Sequence, residues 1–140
     1  MSDLKPAASF IEIKDGCPML RGTRCGECGT VFTGKRTACG HCGARQGMQS
    51  CVLSTRGTLY SYTIVYRSYP GIRVPFVSAI VDLDGGGTVK GNLLEMTPDP
   101  SVIPFGLPVE VVFRDAACAN PEAAGHLAYF FVPAPESTHV

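Results

Sequence analysis

Cys25-Gly26-Glu27-Cys28-Gly29 and Cys39-Gly40-His41-Cys42-Gly43 decide the fold, with ten residues between Cys28 and Cys39. Each Cys-x2-Cys pair predicts a tight knuckle that aims two thiolates at one point. The glycines let the backbone adopt the positive φ that such a turn requires. Two knuckles facing each other enclose a tetrahedral site whose four sulfurs would hold Zn²⁺ at about 2.3 Å. Protein then fills every coordination position, which describes a structural metal site and leaves none open for catalysis. Cys25, Cys28, Cys39 and Cys42 are therefore the expected metal ligands.

Other uses of four cysteines fit less well. Two disulfides need an oxidising compartment, and residues 1–16 carry charges without the apolar core of a secretory signal. A redox Cys-x2-Cys comes singly beside a βαβ pattern, whereas here there are two pairs and no such pattern. Iron in a rubredoxin-like site has similar spacing and stays open as an alternative.

The chain has 140 residues, enough for a small metal-held module and one domain of about 80 residues. Its 16 Gly and 11 Pro suggest short strands and many turns. Basic and acidic residues balance at 12 each, so no global field favours nucleic acid or a membrane surface. The balance is uneven locally. Between Cys17 and Cys51, five basic residues face one acidic residue, and between Val52 and Val132, five face seven. Four thiolates around Zn²⁺ carry a net −2, which reduces the first excess from +4 to about +2. The longest apolar stretches, Val74–Val81 and Leu127–Val132, fall far short of the roughly 20 residues that span a bilayer. A cytoplasmic location is the expectation.

Outward from the knuckles, residues 1–16 read as an extension with a short strand at Phe10–Lys14, and residues 17–51 read as the ribbon. A ribbon of this size has little apolar core and should depend on its metal. Val31 and Phe32 are its expected packing residues. From Val52 the texture changes to β. Five strands are predicted at Gly57–Tyr66, Val74–Asp84, Thr88–Glu95, Leu107–Arg114 and Leu127–Val132. In the first, strict alternation would put Leu59, Ser61, Thr63 and Val65 on one face and Tyr60, Tyr62, Ile64 and Tyr66 on the other. The second is a continuous apolar run that predicts burial on both faces. Asp84-Gly85-Gly86-Gly87 predicts a hairpin. Pro98, Pro100 and Pro104 restrict Thr97–Phe105 to a connector with at most a short helical turn. Five strands with one non-β connector between the third and fourth match an OB-type barrel over residues 52–133. A small open sandwich would give a similar string. Residues 134–140 read as a tail. The fold class is therefore mostly β: a rubredoxin-like four-cysteine zinc ribbon followed by a five-stranded OB-type barrel.

This combination resembles the zinc-ribbon/OB-fold acyl-CoA-associated family. The resemblance spans about residues 17–133 and is carried by Leu20–Gly29, Cys39–Gly43, Ser54–Thr63, Pro75–Asp84 and Gly106–Phe113. It implies a small partner of a thiolase-fold protein in a hetero-oligomer. The larger chain would supply the nucleophile and acid/base groups, and the small chain would help close the pocket for CoA thioesters. Among the settings the family implies, the best match is a thiolase of anaerobic aromatic degradation. One departure is the short stretch before Cys17, where many members carry a longer helical N-terminus.

Under that implication, Tyr66, Arg67, Tyr69 and Arg73 are the candidates for contact with CoA. Two arginines can hold a phosphate by forked, charged hydrogen bonds, and two tyrosines offer flat faces to adenine or an aryl group. An ordinary hairpin tip also interleaves basic and aromatic residues. Arg21, Arg24 and Arg36 are secondary candidates, as docking charges. No catalytic residue is assigned. Cys118 and His126 could meet across the loop from Asp115 to Gly125, yet nothing in the sequence brings them together. Cys17 and Cys51 read as small apolar fillers or alternative ligands, and Asp82 and Asp84 as solvent-facing carboxylates. The competing reading is a single-stranded nucleic-acid-binding module, since zinc ribbons and OB folds both serve there. A pI near 6.8 and an acidic second half argue against it.

Overall fold

A computed structural model describes residues 5–68 and 70–134. Its ten strands are β1 (Lys5–Pro6), β2 (Ile11–Lys14), β3 (Cys17–Cys25), β4 (Val31–Thr33), β5 (Met48–Val52), β6 (Arg56–Val65), β7 (Phe76–Leu83), β8 (Thr88–Leu93), β9 (Pro108–Asp115) and β10 (His126–Pro133).

The first sheet is the ribbon, organised around β3. The first half of β3 pairs antiparallel with β2, from Ile11 opposite Leu20 to Lys14 opposite Cys17. Its second half is flanked by β4 and β5, with Thr23 opposite both Phe32 and Ser50. β2 joins this sheet and buries Ile11 in the core shared with the barrel.

The five strands expected after Val52 are all present and close into a barrel. β6 pairs with β7, β7 with β8, β8 with β10, β10 with β9, and β9 returns to β6. Counted from the first barrel strand, the circuit runs 1-2-3-5-4-1, with the third and fifth strands parallel and the other pairs antiparallel. That closure selects the OB-type barrel over the open sandwich. β1 adds to the outside of β10 in parallel. The interior is filled by Leu59, Val77, Ala79, Val81, Val109, Leu127 and Phe131, which are almost fully buried. Tyr62 closes one end, its hydroxyl donating to the Ile103 carbonyl at 3.0 Å.

Two details correct the sequence reading. Alternation in β6 is interrupted: Leu59 pairs with Val81, but Ser61 pairs with Ile80, leaving Tyr60 as an extra residue. This is a β-bulge. Past it, Tyr62 and Ile64 pack on the core that Leu59 occupies before it, and Tyr60 is 66% exposed. Expected face-sharing by Leu59, Ser61, Thr63 and Val65 therefore fails at the bulge. Nor is β7 buried on both faces. Val77, Ala79, Val81 and Leu83 point inward, whereas Phe76, Ser78 and Ile80 are half-buried and Asp82 is exposed. The connector between β8 and β9 holds no helix, and the loop after Asp115 contains two short 3-10 turns, Ala116–Cys118 and Pro121–Ala123, capped by Asp115 and Asn120. Among the described residues, no helix is long and apolar enough to cross a membrane.

Ribbon and barrel meet through the β7–β8 hairpin. Val31 packs there, and a Cβ on Gly86 would lie 2.7 Å from the Val31 Cβ, so the approach requires glycine. Gly86 also has φ +120, outside what other residues readily adopt. Thr33 donates its hydroxyl to the Thr88 carbonyl at 2.9 Å, fastening β4 to the start of β8.

Candidate metal centre and surrounding surfaces

The two knuckles are built alike. In the first, Gly29 N–H donates to the Cys25 carbonyl at 2.8 Å and Cys25 N–H donates to the Thr30 carbonyl at 2.9 Å. In the second, Gly43 N–H donates to the Cys39 carbonyl at 2.9 Å and Cys39 N–H donates to the Ala44 carbonyl at 2.8 Å. Gly29 and Gly43 close these turns with φ of 81° and 82°. β3 delivers Cys25 at its end, and the loop between β4 and β5 delivers Cys39 and Cys42.

All four sulfurs lie within 4.8 Å of one another. Cys25 Sγ is 3.7 Å from Cys42 Sγ, and Cys28 Sγ is 3.6 Å from Cys39 Sγ. A tetrahedron with metal–sulfur bonds of about 2.3 Å has edges of roughly 3.8 Å, so the shorter separations already match a coordination shell. The four cysteines can hold a metal ion. Cys17 is exposed and Cys51 half-buried against the core, and neither belongs to the cluster.

Local hydrogen bonds sort the thiols. Thr30, through its hydroxyl and then its backbone N–H, holds the Cys28 thiol down to about 5. The backbone N–H groups of Cys42 and His41, each 3.3 Å from Cys39 Sγ, lower that thiol also. At Cys42 the Ala44 N–H pulls downward, but lost hydration and the crowding sulfurs of Cys25, Cys39 and Cys28 outweigh it and push the thiol up to about 12. Cys28 is thus prepared as a thiolate and Cys39 is shifted toward one, while Cys42 keeps its proton until a cation offsets the accumulated negative charge.

The other candidates are dispersed. Tyr66 is exposed on the wall of an open groove of about 640 Å³, beside Tyr62 and Phe105, whose rings lie 5.3 Å apart. Arg73 lines a different recess with Glu95 and Cys118, and its N–H donates to the Ala119 carbonyl at 3.1 Å. Arg67 is exposed, and Tyr69 lies outside the described residues. The loop therefore does not gather Tyr66 and Arg73 into one pocket. His126 Nδ1 lies 3.2 Å from the Ala123 carbonyl, and among the described residues it makes no hydrogen bond to Cys118. Asp82 accepts from the Thr88 hydroxyl at 2.9 Å.

Comparison with known proteins accords with this architecture. Residues 52–114 match the family model of the ChsH2 C-terminal OB-fold domain. A DUF35 domain-containing scaffold protein of Methanocaldococcus jannaschii is 33% identical over 97 residues, covering 68% of this chain and 67% of that one. Its counterpart in Methanothermobacter thermautotrophicus is 32% identical over 97 residues, covering 68% and 71%. Among solved structures, a chain of the Ltp2-ChsH2(DUF35) aldolase superposes with a TM-score of 0.65 at 28% identity, over 84% of this chain and 86% of that one. A four-cysteine ribbon on a closed five-stranded barrel is thus the class of protein, and the chain belongs to the DUF35 family. A further relative, the benzoylsuccinyl-CoA thiolase subunit BbsA of Geobacter metallireducens, is 35% identical over 68 residues, covering 49% of this chain and 45% of that one.

Proposed function

We propose that this chain is a non-catalytic, zinc-holding subunit that docks on a thiolase-fold enzyme and helps form or close its acyl-CoA site. The observation that carries this reading is the ribbon-on-barrel architecture, matched over 84% of the chain by the Ltp2-ChsH2(DUF35) aldolase. Kinship with BbsA supports thiolysis or condensation of a CoA thioester, with an aryl-bearing acyl group as the substrate we favour. Zinc is the ion we assign to the cysteine cluster, since four sulfurs at tetrahedral separations suit it and leave no open position. Zinc there would fix the ribbon and take no part in the reaction. Tyr66, Arg67 and Arg73 are assigned to the surface facing the partner's CoA pocket, on the two sides of one exposed loop.

The chemistry would reside on the partner. A thiolase step needs an activated thiol beside a base, and the lowered thiols here, those of Cys28 and Cys39, belong to the metal cluster.

Co-expression with a thiolase-fold protein encoded beside this chain tests the proposal. The two should co-elute in size-exclusion chromatography, and removal of this chain should abolish thiolysis by the pair. Separate elution together with undiminished activity of the partner alone would overturn it.

A further inference from the structure

On the ribbon, a cleft of about 430 Å³ lies between β2, β3 and the loop after β4, and its charged lining is Arg21, Lys35, Arg36 and Glu12. Three cations against one carboxylate leave it with a net charge of +2. Its volume falls in the range of small-ligand sites, about 300–1,000 Å³.

The basic groups are held in place. Arg21 donates from Nε to Glu12 Oε1 at 2.6 Å, which fixes the guanidinium plane and leaves both terminal nitrogens available. Lys35 and Arg36 have no carboxylate partner among the described residues. The Arg36 guanidinium carbon sits 4.9 Å from the centre of the Phe32 ring, a cation–π contact that constrains its long side chain. Thr23 anchors the loop carrying both. It is 4% exposed, donates to the Gly34 carbonyl at 2.7 Å and accepts from Arg36 N–H at 3.1 Å. A buried hydroxyl that spends both hydrogen bonds on one basic loop indicates pre-organisation, which lowers the entropic cost of binding.

We infer that this ribbon cleft is a binding site for phosphoryl anions, with Arg21 and Arg36 as the forked donors and Lys35 as a point charge. Planar guanidinium groups match phosphate oxygens two at a time. The site is argued from the ribbon alone and stands or falls independently of docking on a thiolase-fold partner.

Titration of the metal-loaded chain with adenosine 3′,5′-bisphosphate and with pyrophosphate, followed by amide NMR shifts, tests the inference. Both probes should shift the amides of Gly22, Thr23, Gly34 and Arg36, and added salt should weaken binding. Lys35→Ala with Arg36→Ala should weaken binding about tenfold or more. Both side chains are exposed, so melting temperature and metal content should hold. If the double variant loses its metal, Lys35→Ala alone should give a several-fold loss. Tighter binding of the bisphosphate assigns the site to a nucleotide end, and equal binding assigns it to phosphoryl groups in general. Absence of shifts at these amides, indifference to the substitutions, or tighter binding of a glutamate-rich peptide of equal charge would overturn the inference.

Discussion

Between Cys17 and Cys51 the buried side chains are Leu20, Thr23, Cys25 and Cys39, and two of these four carry sulfurs of the metal cluster. The barrel instead buries a continuous set of aliphatic and aromatic side chains from Leu59 to Phe131 that touch one another directly. The ribbon therefore buries little apolar area to offset its ordering entropy, whereas the barrel supplies most of the single core to which the ribbon adds Leu20. A shared fold need not mean a shared source of stability. One half has four sulfurs that can hold an ion where the other relies on water exclusion.

Removing the metal or a ligand should break the comparison most severely. Cys25→Ser or Cys39→Ser should abolish metal binding and unfold the ribbon, because structural zinc supplies roughly 10–16 kcal/mol in small zinc modules. Amide NMR should show the resonances of β3, β4 and β5 collapsing while those of β6 to β10 persist, and binding to a thiolase-fold partner should be lost with them. A ribbon that stays ordered without the ion would contradict the division.

Next in size is the mirror experiment. Phe131→Ala, at a fully buried ring, should cost about 3–5 kcal/mol. Calorimetry should show the barrel transition falling by many degrees while metal stoichiometry measured at low temperature stays the same.

The seam between the regions gives a third test. Gly86→Ala must push against Val31 and hold alanine at a φ glycine favours, a penalty of about 1–3 kcal/mol. Coupling rather than either core should suffer, so one unfolding transition should separate into two. Thr33→Val, which deletes the hydrogen bond to Thr88, should act in the same direction at about 1 kcal/mol.

The finest distinction concerns protons. Cys42, pushed up to about 12, must release its proton when the ion enters, so metal affinity should fall as pH falls. Cys28 is lowered from the ordinary thiol range to about 5, so what the lowering contributes to the folded ribbon is fully present above that range and is lost as pH falls from there through about 5. Competition with a chromogenic chelator from pH 8 to 4 should therefore show affinity falling throughout. Affinity independent of pH would contradict proton release on metal entry.

Much of this was legible in the chain. The four cysteines announce their site by spacing, because a knuckle is a local structure and its requirements sit within five residues. The five barrel strands are legible for the same reason. Pairing of β8 with β10 is not, since a parallel contact joins segments nearly forty residues apart at a single register point, Leu93 opposite Phe131. Nor is the bulge at Tyr60, which no glycine or proline marks within Leu59–Val65. The ribbon cleft is scattered in sequence: Glu12, Arg21 and Lys35 meet only because β2 and β4 both pair with β3. Thr23 looks in sequence like any strand threonine, and only its two hydrogen bonds to Gly34 and Arg36 reveal that it tethers the basic loop.

The extra residue in β6 gives that strand a parity. Flattening the bulge with Tyr60 retained would turn Ser61, Thr63 and Val65 toward the space that Tyr62 and Ile64 now fill, whereas deleting Tyr60 would restore unbroken alternation with Tyr62 and Ile64 still inward. The bulge thus absorbs one surface residue without changing which side chains fill the barrel, and loss of that single residue should be tolerated there.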